Sequence, residues 1–127
     1  MKIVVCMKRV PNTTEIKIDP VTKTLKRDEV ANIINPDDKT AIEAALRLKD
    51  RYGAKVTAVS MGAMTTEPWM REALAMGVDE AVLVSDMAFA GSDTLATSTI
   101  MSKVLERTGY DVIICGRQSI DGDTAQV

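Results

Sequence analysis

The residues best suited to chemistry lie at the end of the chain, in Cys115-Gly116-Arg117-Gln118-Ser119-Ile120-Asp121-Gly122-Asp123-Thr124-Ala125-Gln126-Val127. They follow Val112-Ile113-Ile114, an apolar run that reads as a buried strand. A strand that empties into Gly, Asp, Thr and Gln is the usual arrangement of a nucleotide site at the carboxyl edge of a parallel sheet. Glycine lets the backbone come close to a ligand. The polar side chains after it can read ribose and phosphate, and backbone amides can face an anion where a helix begins. Asp121 and Asp123 suit ribose hydroxyls and helix capping better than acid–base catalysis or metal ligation. Arg117 suits a bidentate contact to phosphate. It could equally balance Asp121 locally, an exposed pairing worth about 0–1 kcal/mol.

Composition removes much other chemistry. The 127 residues include no His, which excludes Ser-His and Cys-His catalysis and most zinc sites. Cys6 and Cys115 each end an apolar run and read as small buried residues in a reducing compartment. The eight Met residues read as core filler. A net charge of −2 gives no reason to expect nucleic acid or an anionic membrane as partner. One Trp, two Tyr and one Phe are too few for a base-stacking platform. No apolar run approaches the roughly 20 residues that span a bilayer. The start, Met1-Lys2-Ile3-Val4-Val5-Cys6, reads as a strand rather than a signal peptide. The cytoplasm, or an organelle matrix, is therefore the expected location, the cytoplasm first.

The elements that position these residues alternate. Lys2–Met7 is a near-continuous apolar run of the kind buried on both faces of a parallel sheet. Residues 15–27 suggest a small hairpin outside that sheet. Asn35-Pro36-Asp37-Asp38 predicts a helix start, with a capping Asn, a Pro in the first turn and two acids at the positive end. That helix should run to about Arg51, bury Ala41, Ala45, Leu48 and Tyr52 with Ile42 beside them, and close at Gly53. Lys55–Met61 is the second strand, and a helix carrying Pro68, Trp69, Met70, Ala73, Leu74 and Met76 ends at Gly77. Trp69 reads as a packing residue on that helix rather than a flavin stack. Glu80–Ser85 is the third strand, a helix follows from about Thr94 to Arg107, and Asp111–Cys115 is the fourth strand. The alternation predicts an α/β fold: one domain over residues 1–127, a three-layer, doubly wound parallel sheet with flanking helices and right-handed crossovers. A ligand would sit outside the strand ends Cys6-Met7-Lys8, Ser60-Met61-Gly62, Ser85-Asp86 and Gly116-Arg117-Gln118.

The nucleotide-binding motifs in common use are absent. There is no Gly-x-x-x-x-Gly-Lys-Ser/Thr, and no Gly-x-Gly-x-x-Gly follows the first strand. Lys8-Arg9-Val10-Pro11 stands there instead, able to meet phosphates or an acidic partner, or to be a solvated strand end.

Five segments, in order and in register, resemble the β subunit of electron transfer flavoproteins. They are residues 4–11, residues 35–49 from Asn35-Pro36-Asp37-Asp38 onward, Ala58-Val59-Ser60-Met61-Gly62, residues 71–81, and residues 116–127. The resemblance implies a HUP-like adenine-nucleotide-binding domain in an α/β heterodimer that carries electrons between flavin dehydrogenases and a second acceptor. The α subunit holds one FAD, and the β subunit holds either AMP or a second FAD. Carried onto this chain, the nucleotide contacts are Cys6, Asn35, Pro36, Asp37, Asp38, Met61, Gly62 and the segment Gly116, Arg117, Gln118, Ser119, Ile120, Asp121, Gly122, Asp123, Thr124, Ala125, Gln126 and Val127. Many AMP-binding members have Asp-Asp-Asp-x-Asn-Gln-Thr in the last motif. Here Gly122, Ala125 and Val127 replace polar groups and leave more room. With Asp19-Pro20 and the Ser85–Ser98 segment, this variant resembles the anaerobic, electron-bifurcating branch. FAD is then the expected cofactor, with Ala90, Gly91 and Thr94 near the flavin portion. Family members are considerably longer, so the resemblance implies a fragment or a shortened form.

The expected role is an electron carrier that positions cofactors and does no bond-making of its own. A stand-alone adenine-nucleotide sensor of similar topology is the alternative, although such a module usually carries a Gly-rich phosphate loop after the fourth strand. An ATP-using ligase or sulfurtransferase would want Ser-Gly-Gly-x-Asp-Ser after the first strand, which Lys8-Arg9-Val10-Pro11 does not supply.

Overall fold

Four apolar segments form one parallel sheet in a computed structural model that describes residues 1–12, 31–85, 94–120 and 127. The strands are β1 (Lys2–Cys6), β4 (Lys55–Met61), β5 (Glu80–Val84) and β6 (Val112–Cys115), in the spatial order β5-β4-β1-β6. A separate antiparallel pair joins β2 (Arg9–Pro11) to β3 (Asn32–Ile34). The helices are α1 (Pro36–Tyr52), α2 (Glu67–Met76) and α3 (Thr94–Thr108), with a short 3-10 turn at Met64–Thr66.

The two central strands carry the continuous β-branched runs, and both their faces are covered. Ile3, Val5, Val56 and Ala58 meet Ala41, Ile42 and Ala45 of α1 and Met70 and Ala73 of α2 on one face. On the other face Val4 and Val59 pack with Met101, and Val104 and Leu105 of α3 close around them. The result is the expected helix–sheet–helix arrangement. β5 and β6 are the outer strands among the described residues, and their side chains are only partly covered.

Gly53 adopts φ +68°, the left-handed geometry that ends α1, and its N–H bonds to Lys49 O. Tyr52 is not part of the buried stripe. It is 61% exposed, and the Arg51 guanidinium lies over its ring at 5.4 Å, because the last turn of α1 has passed the sheet it packs on. The β2–β3 pair went unread because three residues containing a Pro show no period. Val10 is nevertheless wholly buried, and its strand continues the chain directly beyond β1. The hairpin expected at 15–27 lies outside the described residues. No helix among the described residues is long and apolar enough to cross a membrane.

The chain runs from β1 to its neighbour β4, on to β5, and then back over the sheet through α3 to β6 on the far side of β1. The direction of winding therefore reverses between β1 and β6. In open parallel sheets, the crevice outside the carboxyl ends at such a reversal is where ligands bind.

Candidate functional site

Three pieces of backbone meet at that crevice: the end of β1, the amino end of α1, and the loop after β6. Asn35 ties them together. It is wholly buried, its N–H bonds to Lys8 O at 2.8 Å, and its side-chain amide reaches the loop. Nδ2 donates to Gln118 O at 2.9 Å, and Oδ1 accepts from the Ile120 N–H at 3.0 Å. Asn-Pro had suggested a helix cap, but Asn35 makes no side-chain cap bond. Its amide is spent on the loop instead, where both ends of a buried amide find the backbone partners that burial demands.

Asp38, in the first turn of α1, is the second tie. Its Oδ2 accepts the Lys8 N–H at 2.9 Å, and the Asn35 amide and Gly116 N–H lie near enough to favour its charged form. Burial is the main influence on this group and raises its pKa to about 6. Asn35, Lys8 and Gly116 oppose that shift, and the neighbouring Asp37 adds to it. The Asp38 carboxylate thus sits where the positive end of α1 would otherwise meet an anion.

Gly116 is required at its place by contact. A Cβ there would meet Asp38 Oδ1 and lie 2.8 Å from Asp38 N and from Asp37 C. Gly62 is similar on a smaller scale: a Cβ would sit 2.9 Å from Thr66 Oγ1 of the buried Thr66. The Gly62 N–H bonds to Val84 O at 3.0 Å and so joins the ends of β4 and β5.

Of the residues expected at the site, Cys6, Asn35, Asp38, Gly116, Gln118 and Ile120 come together at the crevice between β1 and β6. Pro36 and Asp37 are exposed in the first turn of α1, and Met61 and Gly62 end β4, on the other side of β1. Arg117 is exposed, and Gln118 and Ser119 are half-buried. Ala90, Gly91 and residues 121–126 lie outside the described residues. Thr94 opens α3, and Val127 is exposed.

Arg9 lies against α2 and the turn before it. Its guanidinium lies 5.4 Å from the Trp69 ring centroid, and Nη1 donates to Thr65 Oγ1 at 3.1 Å. Trp69 packs against the core as expected, and its indole N–H donates to Asn32 O at 3.2 Å. Asn32 and Trp69 line a groove of about 240 Å3 between β3, α1 and α2. None of the four parallel strands lines that groove, whose wall includes Pro36 at the start of α1.

Two features escaped the sequence reading. Ser60 Oγ, buried one residue before the end of β4, has no partner among the described residues, and a mid-strand Ser gives no sign of that. The cysteines are also not the two buried residues expected: Cys6 is half-buried and Cys115 is exposed, because β6 is an outer strand among the described residues.

The donor set fits a nucleotide. Lys8 and Arg117 are exposed and follow the ends of β1 and β6 by two residues. Half-buried Gln118 and Ser119 offer neutral polar groups beside them. Among the described residues, no group of three or more acids and thiols could hold a metal ion.

A profile of the electron transfer flavoprotein domain matches residues 22–127. Over its whole length the chain is 58% identical to the electron transfer flavoprotein subunit beta of Thermoanaerobacterium thermosaccharolyticum, of which it covers 49%. It is 52% identical to Protein FixA of Azotobacter vinelandii and 50% identical to the caffeyl-CoA reductase-Etf complex subunit CarD of Acetobacterium woodii, covering 47% and 49% of them. The chain spans about half the length of the curated relatives it matches. It belongs to the electron transfer flavoprotein domain family.

Proposed function

We propose that this chain is the nucleotide-holding part of an electron-transfer β subunit, with FAD in the crevice between β1 and β6. The observation that carries the reading is the buried Asn35, which pins the loop after β6 against the end of β1 at the reversal of the sheet. The family supplies the role. Two relatives, an acryloyl-CoA reductase electron transfer subunit of Anaerotignum propionicum and the caffeyl-CoA reductase-Etf complex subunit CarD, are by name parts of electron-transfer assemblies.

In this reading the adenosine end lies against Cys6, Asn35, Asp38, Met61, Gly62 and Gly116. Because Asp38 already answers the amino end of α1, the phosphates are held elsewhere, by Arg117 and by the polar groups of residues 118–127. The Gly122, Ala125 and Val127 substitutions favour the bulkier FAD over AMP at this site. Bound flavin would supply the electron chemistry, and the chain would orient it and tune its potential through burial and hydrogen bonds. An α subunit completes the assembly, flavin dehydrogenases exchange electrons with it, and an NADH-linked bifurcation is the finer expectation. The setting is cytoplasmic.

The test is cofactor extraction from the full-length gene product, purified with its partner subunit. Two FAD per heterodimer support the proposal, one FAD with one AMP moves the site to AMP, and no nucleotide overturns it. Asn35→Ala removes both loop bonds and should weaken retention of the β-site nucleotide about tenfold or more, the equivalent of one or two lost hydrogen bonds. Unchanged retention in that variant would remove Asn35 from the site.

A further inference from the structure

Cys6 and Cys115 are paired in register on adjacent parallel strands, although 108 residues lie between them in the chain. Residues paired this way present their side chains on the same face of the sheet. That face is the one covered by α3, where Cys6 packs beside the Val4, Val59 and Met101 cluster. Neighbouring strands lie about 4.8 Å apart, inside the roughly 4.4–6.8 Å range of Cα separations that a disulfide accepts. The two thiols are close enough to perturb each other's ionisation. One is exposed and the other half-buried, so a small reagent reaches the pair from the Cys115 side.

The two sulfurs are not equivalent. The contact with Cys6 lowers the Cys115 pKa to about 7, against burial and the nearby Asp38 charge. The same contact pushes Cys6 far up, and burial, Cys115 and Asp38 all act in that direction. A metal ion does not suit the pair, because no third acid or thiol among the described residues completes a ligand set.

We propose that Cys115 and Cys6 form a peroxide-reactive thiol pair, with Cys115 attacking and Cys6 resolving to an intramolecular disulfide between the ends of β1 and β6. In the first step the Cys115 thiolate attacks one oxygen of hydrogen peroxide. An S–O bond forms, the O–O bond breaks, and hydroxide leaves. Cys115 is oxidised by two electrons to a sulfenic acid, and the peroxide is reduced. In the second step Cys6 gives up its proton and its Sγ attacks Cys115 Sγ. An S–S bond forms, the S–O bond breaks, and the departing hydroxide takes the proton as water. Two thiols and one peroxide give one disulfide and two waters, and a dithiol reductant reverses the change. The proposal stands on the register of β1 and β6 and does not require the nucleotide reading.

The experiment treats the full-length subunit, copurified with its partner, with equimolar hydrogen peroxide. Free thiols are then alkylated, and non-reduced peptides are mapped by mass spectrometry. The expected result is a Cys6–Cys115 linked peptide that disappears on reduction. At neutral pH Cys115 should react roughly fivefold faster than an ordinary thiol, its larger thiolate fraction being partly offset by lower nucleophilicity. Cys6→Ser, and Cys6→Ala as a second variant, should leave a Cys115 sulfenic acid that a dimedone probe traps. In Cys115→Ser, Cys6 should stay a free thiol. Recovery of both thiols alkylated from the wild type, or over-oxidised Cys115 with no linked peptide, would overturn the proposal.

Discussion

The two ends of the parallel sheet spend their charges in opposite ways. At the amino end the charged groups are exposed and met by partners. Lys49 Nζ reaches Asp79 at 2.7 Å and Gly77 O at 3.0 Å, Lys55 reaches Glu80 at 2.8 Å, and the Lys2 N–H donates to Asp111 at 2.7 Å. Asp79 also accepts the Val56 N–H at the start of β4. At the carboxyl end Lys8 and Arg117 are exposed, but two polar side chains there are buried. Asn35 and Asp38 hold backbone from three elements there, and Ser60 keeps a hydroxyl without a partner among the described residues. The first end is built like an ordinary solvated surface. The second bears the cost of burying polar groups, as a site must when it excludes water from a ligand.

If that contrast is right, changes at the carboxyl end should be expensive and changes at the amino end cheap. The largest effect is expected from Gly116→Ala. The added methyl falls within contact of the backbone at Asp37 and Asp38, so either the loop after β6 or the first turn of α1 must shift. A cost of about 2–3 kcal/mol is expected, within the usual range for overpacking, together with weaker nucleotide retention. Urea denaturation of the variant and the parent measures the first, and cofactor content measures the second. An unperturbed Gly116→Ala protein would mean that the loop is free to move off α1 and that the crevice is not preformed.

The second effect has a sign that separates the two ends. Asp38 titrates at about 6, above the ordinary carboxylate value of 3.8. A raised folded-state pKa means that the group's stabilising contribution is fully present below about pH 4 and lost as the pH rises through about 6. Asp38→Asn keeps an acceptor for the Lys8 N–H and carries no charge at any pH. The parent should therefore lose on the order of 2 kcal/mol relative to Asp38→Asn between about pH 4 and pH 7. Denaturation midpoints of both proteins across that window check it. Parallel pH profiles would show that Asp38 is ionised without penalty and that the crevice is wetter than its burial implies.

How far this contrast could be read in advance depended on how local each cause is. β1, β4 and β6 announce themselves by apolar runs, and Gly53 and Gly77 close their helices, because each signal lies within a few residues of its effect. The carboxyl edge was legible as a place for the same reason: a strand ending in Gly116 points to close backbone contact. What could not be read was the identity of the contact. The partner of Gly116 is Asp38, and the partners of Asn35 are Gln118 and Ile120, all set by the crossing of α3 to the far side of β1. The same crossing sets the register that brings Cys6 beside Cys115. Asn-Pro before an acidic turn reads locally as a cap, and only the fold shows that the amide is used elsewhere.

The smallest effect tests the amino end. The Asp79 pKa is lowered, first by its bond to Lys49 and then by the Val56 N–H. A depressed folded-state pKa means that its contribution is present above the unfolded value, about 3.9, and lost as the pH falls through the folded one. Asp79→Asn should therefore destabilise modestly at neutral pH, by under about 1 kcal/mol as expected for an exposed pair, and the difference from the parent should vanish in acid. The trend with pH runs opposite to that of Asp38→Asn, and raised salt should shrink it, because the Lys49–Asp79 pair faces solvent. A loss that persists undiminished at high salt and low pH would assign the role of Asp79 to its bond with the Val56 N–H. The amino end would then share the buried, backbone-holding character of the crevice, and the contrast between the two ends would collapse to a difference in exposure.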